Sequence, residues 1–184
     1  MKTRKASVRL IHALFFFFIA LFCYVPAQAG QIQSVGTTEI FFSPNGGATE
    51  SIVKEIHNAK REILVQAYSF TSAPIAQALL EVHKRGVRIE AVLDKSQRTE
   101  RYTSATFLVN AGVPVLIDDR HAIAHNKIMI IDRATLITGS FNFTKSAEEK
   151  NAENLLVMKG NSKLVDAYLQ NYATHRAHSA GYTR

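Results

Sequence analysis

His125 and Lys127 stand two positions apart, followed by Asp132 and, further along, by Ser140 and Asn142. An imidazole can attack phosphorus, and its ordinary pKa leaves it available near neutral pH. An ammonium, a hydroxyl and a carboxamide can donate to phosphate oxygens and neutralise charge in a phosphoryl transition state. A lone His-x-Lys pair is more often a solvated strand edge. The longer pattern favours phosphoryl chemistry.

The backbone that must gather these side chains is a predicted hairpin. Residues 121–131 and 135–139 are strand-like, and the connection between them is too short for a crossover helix. If Ile131 faces Leu136, directly opposed side chains lie about 5 Å apart at Cβ. The pairs this predicts are Lys127 with Ser140 and His125 with Asn142. A shift of one residue would change every pair.

The same segment offers no metal ligands at positions 126 and 128–131, and no further His or carboxylate stands beside it at ligand spacing. We therefore expect chemistry that needs no metal and no other cofactor.

The spacing His125-x-Lys127-x-x-x-x-Asp132 with Gly139-Ser140-x-Asn142 resembles the signature of the phospholipase D superfamily. The chain is most similar to the small bacterial single-motif nucleases of the EDTA-resistant endonuclease type. The resemblance implies a phosphodiesterase with a phosphohistidine intermediate, in which His125 is the nucleophile. It also implies that Lys127 and Asn142 hold the phosphate, with Ser140 beside them.

The resemblance assigns one more residue and an assembly. Glu153 matches the acidic position that orients the imidazole, with an ordinary exposed loop carboxylate as the alternative. A second His must protonate the leaving oxygen, and this chain carries the motif once. A symmetric homodimer would bring two copies of His125 to a two-fold axis. His121, four positions earlier on the predicted strand, is expected to line the approach.

Asp132 belongs to the motif, yet strand geometry removes it from the site. Seven residues of extended strand, at about 3.3 Å each, put it roughly 20 Å from His125. Aspartate is also a favoured turn residue that accepts from nearby backbone N–H groups. We expect Asp132 to stabilise the hairpin and not to touch substrate.

The surrounding elements predict an α/β fold with a mostly parallel, mixed sheet flanked by helices on both faces. The predicted strands are 39–42, 63–68, 87–93, 113–117, the hairpin and 155–157. The predicted helices are 49–60, 72–84, 101–110 and 161–178. Residues 30–184 are expected to form a single domain.

The first 29 residues resemble a cleaved signal peptide rather than part of the fold. Four basic residues precede an apolar run of 13 residues, 13–25, and Ala27-Gln28-Ala29 is a small-x-small cleavage pattern. A spanning helix needs roughly 20 residues, so an uncleaved anchor is the weaker alternative. Cleavage would lower the net charge from +7 to +3, remove the single Cys, and place the protein in the periplasm or outside the cell.

Nucleic acid is the favoured substrate because Lys95, Arg98 and Arg101 follow a strand end, where ligands of α/β sheets bind. A solvated loop is the alternative for these three residues. No recognition helix or zinc finger is apparent, so we expect little sequence specificity. A phospholipid substrate and a non-catalytic nucleic-acid-binding module on the same fold remain as alternative functions. No stable membrane association is expected after cleavage.

Overall fold

Eight strands form one sheet in residues 31–183, the part of the chain that this computed structural model describes. The strands are β1 (Thr37–Phe42), β2 (Glu62–Ala67), β3 (Arg88–Asp94), β4 (Val115–Asp118), β5 (Lys127–Ile131), β6 (Thr135–Gly139), β7 (Asn154–Lys159) and β8 (Ala180–Gly181). The helices are α1 (Ala48–Asn58), α2 (Ala73–Lys84), α3 (Ser104–Asn110), α4 (Lys145–Glu149) and α5 (Ser162–His178).

The strand order across the sheet is β1-β7-β6-β5-β2-β3-β4-β8. Strands β2, β3 and β4 are parallel neighbours, whereas the five other neighbouring pairs among the described strands are antiparallel. The predicted α/β fold with a mixed sheet is confirmed, but the expectation of a mostly parallel sheet is wrong. A tight turn joins β5 to β6. The connection from β6 to β7, residues 140–153, contains only the short helix α4, whose five residues span about 7.5 Å, too little to return the chain along a strand.

Helices cover both faces of the sheet, as predicted. One face carries α1, α2 and α3, whose fully buried residues include Ile52, Leu79 and Leu108. On the other face, α5 is the helix that the described part of the chain supplies, and Val165 and Tyr172 are its buried residues. Helix α5 is largely exposed, and it forms one wall of any cleft on this second face of the sheet.

Strand β5 is shorter than predicted. It begins at Lys127 rather than at position 121, and residues 119–126 form an irregular loop. The Asp94 carboxylate, at the end of β3, accepts from the Ala124 N–H at 2.7 Å and fixes this part of the loop against the end of the sheet. His121 consequently does not share a strand face with His125, and the expectation that it lines the approach from there is wrong.

The helix predicted for 101–110 also begins later. A short 3₁₀ turn, Lys95–Arg98, follows β3, and α3 starts at Ser104. The Thr103 hydroxyl accepts from the Ala105 N–H at 3.1 Å and so caps α3 at its N-terminus.

The hairpin between β5 and β6 turns more tightly than predicted. Asp132 and Arg133 both take left-handed φ angles, 52° and 57°, as the central residues of a type I′ turn do. Ile131 therefore pairs with Thr135 rather than with Leu136. The predicted pairs Lys127–Ser140 and His125–Asn142 are wrong by one residue, since continuing the observed register places Lys127 level with Gly139.

The expected signal peptide, residues 1–29, lies outside the described residues. Ile32–Arg184 form one compact unit. Among the described helices, none is long and apolar enough to cross a membrane.

Candidate active site

The candidate site lies where the carboxyl ends of the parallel strands meet the start of β5. Ala67, the last residue of β2, pairs with Leu93 on one side and with Lys127 on the other. Asp94 and Asp118, which end β3 and β4, pair at the same edge. The parallel pairing therefore places the loops that follow β2, β3 and β4 at one edge of the sheet. The loop after β4 contains His125 and leads into Lys127.

His125 is exposed at this edge. It lies in the loop just before β5, and its ring packs on Tyr68 with centroids 4.6 Å apart and planes at 50°. The loop is fixed on both sides of His125, by the bond from Ala124 to Asp94 and by the Tyr68 N–H, which donates to the Asn126 carbonyl at 2.8 Å. The imidazole is therefore held in position while its edge stays open to a ligand.

Lys127 is buried beneath the same loop, with 6% of its surface exposed. Its Nζ donates to the His125 carbonyl at 2.9 Å and lies 5.2 Å from the centre of the Tyr68 ring. Burial lowers the pKa of Lys127, and the negative charge of Glu153 opposes that shift. An ammonium with few partners and little water is suited to receive an anion.

A cleft of about 450 Å³ opens beside these two residues. Its lining is polar at the strand edge and is completed by α5 from the opposite side. The lining residues are His125, Asn126, Lys127, Ile128, Thr138, Gly139, Ala167, Tyr168 and Asn171. Tyr168 and Asn171 were not anticipated as site residues, because Tyr168 belongs to the apolar stripe of α5 and Asn171 belongs to no motif.

Among the described residues, no hydrogen bond joins Ser140 or Asn142 to His125 or Lys127. The Ser140 hydroxyl accepts from the Asn154 N–H at 3.0 Å. The Asn142 Oδ1 is buried and has no hydrogen-bond partner among the described residues. His125 and Lys127 are thus paired around Tyr68, and phosphate binding by Ser140 and Asn142 on the adjoining segment stays a prediction.

Gly139 explains why that segment approaches β7 so closely. A Cβ at this position would lie 2.2 Å from the Asn154 carbonyl oxygen. The N–H groups of Ser140 and Phe141 both donate to that oxygen, at 3.0 and 3.2 Å. A glycine is required here because any side chain would push the segment away from β7.

Glu153 lies before β7, and its main chain is tied to Ser43, whose Oγ accepts from the Glu153 N–H at 3.1 Å. Its carboxylate accepts from Asn151 Nδ2 at 3.3 Å. No hydrogen bond joins it to His125 among the described residues, although its charge acts on Lys127. An orienting role toward His125 stays a prediction.

Asp132 lies at the far end of β5, a strand of five residues that spans about 16 Å. Its carboxylate accepts from the N–H groups of Lys60, Arg61 and Glu62, at 2.8, 2.7 and 3.0 Å. Burial raises its pKa, but these bonds outweigh burial, so the pKa lies below its ordinary value. Asp132 thus joins the hairpin turn to the loop between α1 and β2.

The three basic residues singled out in the sequence are exposed at the same edge. Lys95 and Arg98 are in the 3₁₀ turn after β3, and Arg101 lies beyond it, with its guanidinium 5.2 Å from the Tyr102 ring centre. Lys95 also donates to the His121 carbonyl at 3.0 Å. The positive surface therefore adjoins the loop that carries His125.

Two residues that position the pair were missed in the sequence. Tyr68 supports both the imidazole and the ammonium, and Asp94 fixes the loop before His125. Both stand at the carboxyl end of a predicted strand, which is where the site of an α/β sheet is expected. Their position at the ends of predicted strands was the feature of the sequence that could have identified Tyr68 and Asp94 as site residues.

The family model described as Cardiolipin synthase, PLD-like domain, matches residues 52–176. A Phospholipase D of Rickettsia prowazekii is 40% identical over 138 residues, covering 75% of this chain and 67% of that protein.

Two solved structures are similar. Nuc from Salmonella typhimurium, described as a phospholipase D family member, has a TM-score of 0.78 at 35% identity and covers 82% of this chain and 100% of that one. NucT from Helicobacter pylori has a TM-score of 0.74 at 23% identity, covering 79% of this chain and 99% of that one, and shows the fold alone.

This chain belongs to the phospholipase D superfamily. The matched region contains His125, Lys127 and Asp132, and the predicted family is confirmed. Within that superfamily the chain is a small member and a hydrolase that acts on phosphodiester bonds.

Proposed function

We propose that this chain is a metal-independent, non-specific endonuclease that hydrolyses DNA, with RNA as a further substrate, through a phosphohistidine at His125. The observation that carries the proposal is the pairing of an exposed imidazole with a buried ammonium around Tyr68, beside an open cleft. The imidazole supplies a nucleophile, and the ammonium supplies charge where phosphate oxygens become more negative.

The reaction takes place in two displacements. In the first, a ring nitrogen of His125 bonds to phosphorus, the bond from phosphorus to the leaving oxygen breaks, and that oxygen takes a proton from His125 of the second copy. In the second, the partner imidazole removes a proton from water, the water oxygen attacks phosphorus, and the P–N bond breaks. Lys127 stabilises the phosphate in both steps, while Asn142 and Ser140 are proposed to complete its binding.

The need for a second copy is supported by the disposition of the other described histidines. His57 pairs with Glu81 at 3.1 Å, and His83 lies 3.3 Å from the Val87 carbonyl. The remaining three surround Asp118: His121, His175 and His178. Since His125 is the only histidine lining the cleft in the described residues, we expect an obligate homodimer with the cleft at its two-fold axis. Sedimentation that showed an active monomer would contradict the dimer.

Nucleic acid is favoured because Lys95, Arg98 and Arg101 are exposed beside the loop of His125. Phosphates of a bound strand would contact these cations without regard to base sequence. Affinity should then fall steeply with salt, as counterions are released on binding.

A phospholipid is the second candidate substrate, favoured by exposed apolar side chains near the same edge. Ile123, two residues before His125, is 57% exposed, and Tyr102 is 71% exposed. Apolar side chains beside a phosphodiester site could enter a lipid surface. The relative from Rickettsia prowazekii carries the name Phospholipase D.

One assay separates these functions. Plasmid DNA, single-stranded DNA, RNA and phosphatidylcholine vesicles are each incubated with the purified protein in excess chelator, alongside His125→Asn and a matched control, His57→Asn. Cleavage of DNA by the protein and by the control, but not by His125→Asn, is the expected result. Turnover of lipid alone would favour the second candidate, and inactivity on all substrates would favour a binding module. Activity lost in chelator and restored by Mg²⁺ would refute the metal-independent reaction.

We also propose that the enzyme acts in the periplasm or outside the cell, since residues 1–29 have the pattern of a cleaved signal peptide. N-terminal sequencing of the exported protein should begin at Gly30. An intact N-terminus in a membrane fraction would indicate an anchor instead.

A further inference from the structure

Three histidines surround one buried aspartate at the end of β4. Asp118 has no exposed surface, and its Oδ2 lies 3.0 Å from His121 Nδ1 and 2.6 Å from His175 Nδ1. Its Oδ1 lies 3.2 Å from His178 Nε2. The three ring centroids are 4.8, 5.3 and 5.5 Å from one another, so the imidazoles converge on a common point.

Hydrogen bonding alone leaves this cluster incomplete. His178 Nε2 is buried and has no partner with hydrogen-bond geometry among the described residues, although it faces Asp118. A buried ring nitrogen without a hydrogen-bond partner costs free energy of folding. A bond from this nitrogen to a metal ion would remove that cost.

The four side chains form the donor set of a transition-metal site. One ligand atom from each of Asp118, His121, His175 and His178 lies within 4.8 Å of all the others. In a tetrahedral zinc site, bonds of about 2.0–2.1 Å separate the ligand atoms by roughly 3.3 Å, so small rotations of the imidazoles suffice. Imidazole nitrogen suits zinc and its neighbours, whereas Mg²⁺ and Ca²⁺ prefer oxygen ligands.

We propose that Asp118, His121, His175 and His178 bind one divalent transition ion of the zinc class in a four-coordinate site. Four protein ligands fill a tetrahedral coordination sphere and leave no position for water or phosphate, which makes the site structural. The expected metal-independence of the reaction at His125 is unaffected, because the ion takes no part in it. His121 is 44% exposed on its side chain, which gives the ion a path from solvent.

The ion would link the parts of the chain that build the cleft. Asp118 ends β4, His121 lies in the loop that leads to His125, and His175 and His178 lie in the last turns of α5. Helix α5 supplies Tyr168 and Asn171 to the cleft lining and buries little of its own surface. A metal bond between α5 and the His125 loop would therefore hold both walls of the cleft together.

The sequence contains a spacing pattern for this site, which lies outside the motif around His125. Asp118 and His121 are three residues apart, as are His175 and His178 at the end of α5, where i and i+3 share a helix face. Neither pair is diagnostic alone, and only the fold brings them together.

The test uses the purified protein stripped with chelator, dialysed, and titrated with ZnCl₂ by calorimetry, with CoCl₂ added in parallel. We expect one equivalent of Zn²⁺ per chain, a higher melting temperature with Zn²⁺, and the strong visible absorption of tetrahedral Co²⁺. His175→Gln and His178→Gln should each weaken zinc binding by on the order of 100-fold, since even the loss of a residue that only supports a ligand costs 10–100-fold. Two partly exposed ligands are chosen because substitution of buried Asp118 could prevent folding.

The controls separate this site from other histidines. His57→Gln, outside the cluster, and His125→Asn, in the candidate active site, should bind Zn²⁺ as the unsubstituted protein does. Absence of stoichiometric binding, a Co²⁺ spectrum of octahedral type, or equal binding by His175→Gln and His178→Gln would overturn the proposal and leave a hydrogen-bonded cluster. Zinc binding by an inactive His125→Asn protein would support the metal site whatever the fate of the proposed nuclease.

Discussion

Replacing Asp132 by Asn tests whether this motif residue stabilises the fold or takes part in the reaction. Asn tolerates the left-handed φ of 52° at this position, so the turn itself is preserved. Its amide oxygen can still accept from Arg61 and Glu62, but its NH₂ group then faces the Lys60 N–H that the carboxylate bonds at 2.8 Å. One charged hydrogen bond is lost and two are weakened to neutral strength, which amounts to about 2 kcal/mol at a site that water can reach.

The loss should depend on pH. The folded pKa of Asp132 lies below its unfolded value, so its contribution to stability is present above the ordinary Asp pKa and disappears as pH falls through the folded pKa. Urea unfolding at one fixed protein concentration should show the full deficit of Asp132→Asn at pH 7 and a smaller one below about pH 3. At pH 7 and low urea, kcat/KM on DNA should stay within about threefold of the unsubstituted protein.

An exposed acidic residue provides the control for this experiment. Asp166→Asn, on the solvent side of α5, should change stability by less than about 0.5 kcal/mol. The structural role of Asp132 would be refuted if Asp132→Asn unfolded like the unsubstituted protein but lost about 100-fold or more in kcat/KM or in affinity for phosphate.

Three further substitutions test the site from other directions. Lys127→Met keeps the buried stem and removes the ammonium, so the protein should fold while kcat/KM falls by about 10²–10³-fold; an active, folded variant would exclude a phosphate-binding role. Asp94→Asn weakens the bond that fixes the loop before His125, and kcat should fall about tenfold with KM changed little; an equal rise in KM would indicate a binding role instead. Gly139→Ala should cost about 2–3 kcal/mol by urea unfolding because its Cβ meets the Asn154 carbonyl, and an unchanged midpoint would show that the segment can move.

The sequence predicted the features that depend on residues close together in the chain. The alternation of apolar stretches with turn residues predicted the α/β order, and the spacing from His125 to Asn142 identified the superfamily. The number of left-handed residues in a turn is not set by apolar pattern, so the register of the β5–β6 hairpin was wrong by one residue. Contacts between side chains that are distant in the sequence could not be predicted in this way. Tyr68 and Asp94 reach the His125 loop only once β2, β3 and β5 are aligned.

Parallel and antiparallel pairing was a second limit. Strand-helix alternation predicts parallel neighbours, but it does not reveal that β7 returns beside both β1 and β6. The cluster around Asp118 has the same origin, since α5 must fold back over the sheet before His175 meets β4.

Trapping the covalent intermediate tests the role of His125 most directly. Radiolabelled DNA is mixed with the enzyme in chelator, quenched within milliseconds in denaturing alkali, in which a P–N bond persists, and digested for mass spectrometry. A nucleotide adduct joined through a P–N bond to the peptide containing His125, absent from His125→Asn, is the expected result. Undiminished DNA cleavage by His125→Asn, or an adduct on another residue, would contradict nucleophilic catalysis by His125.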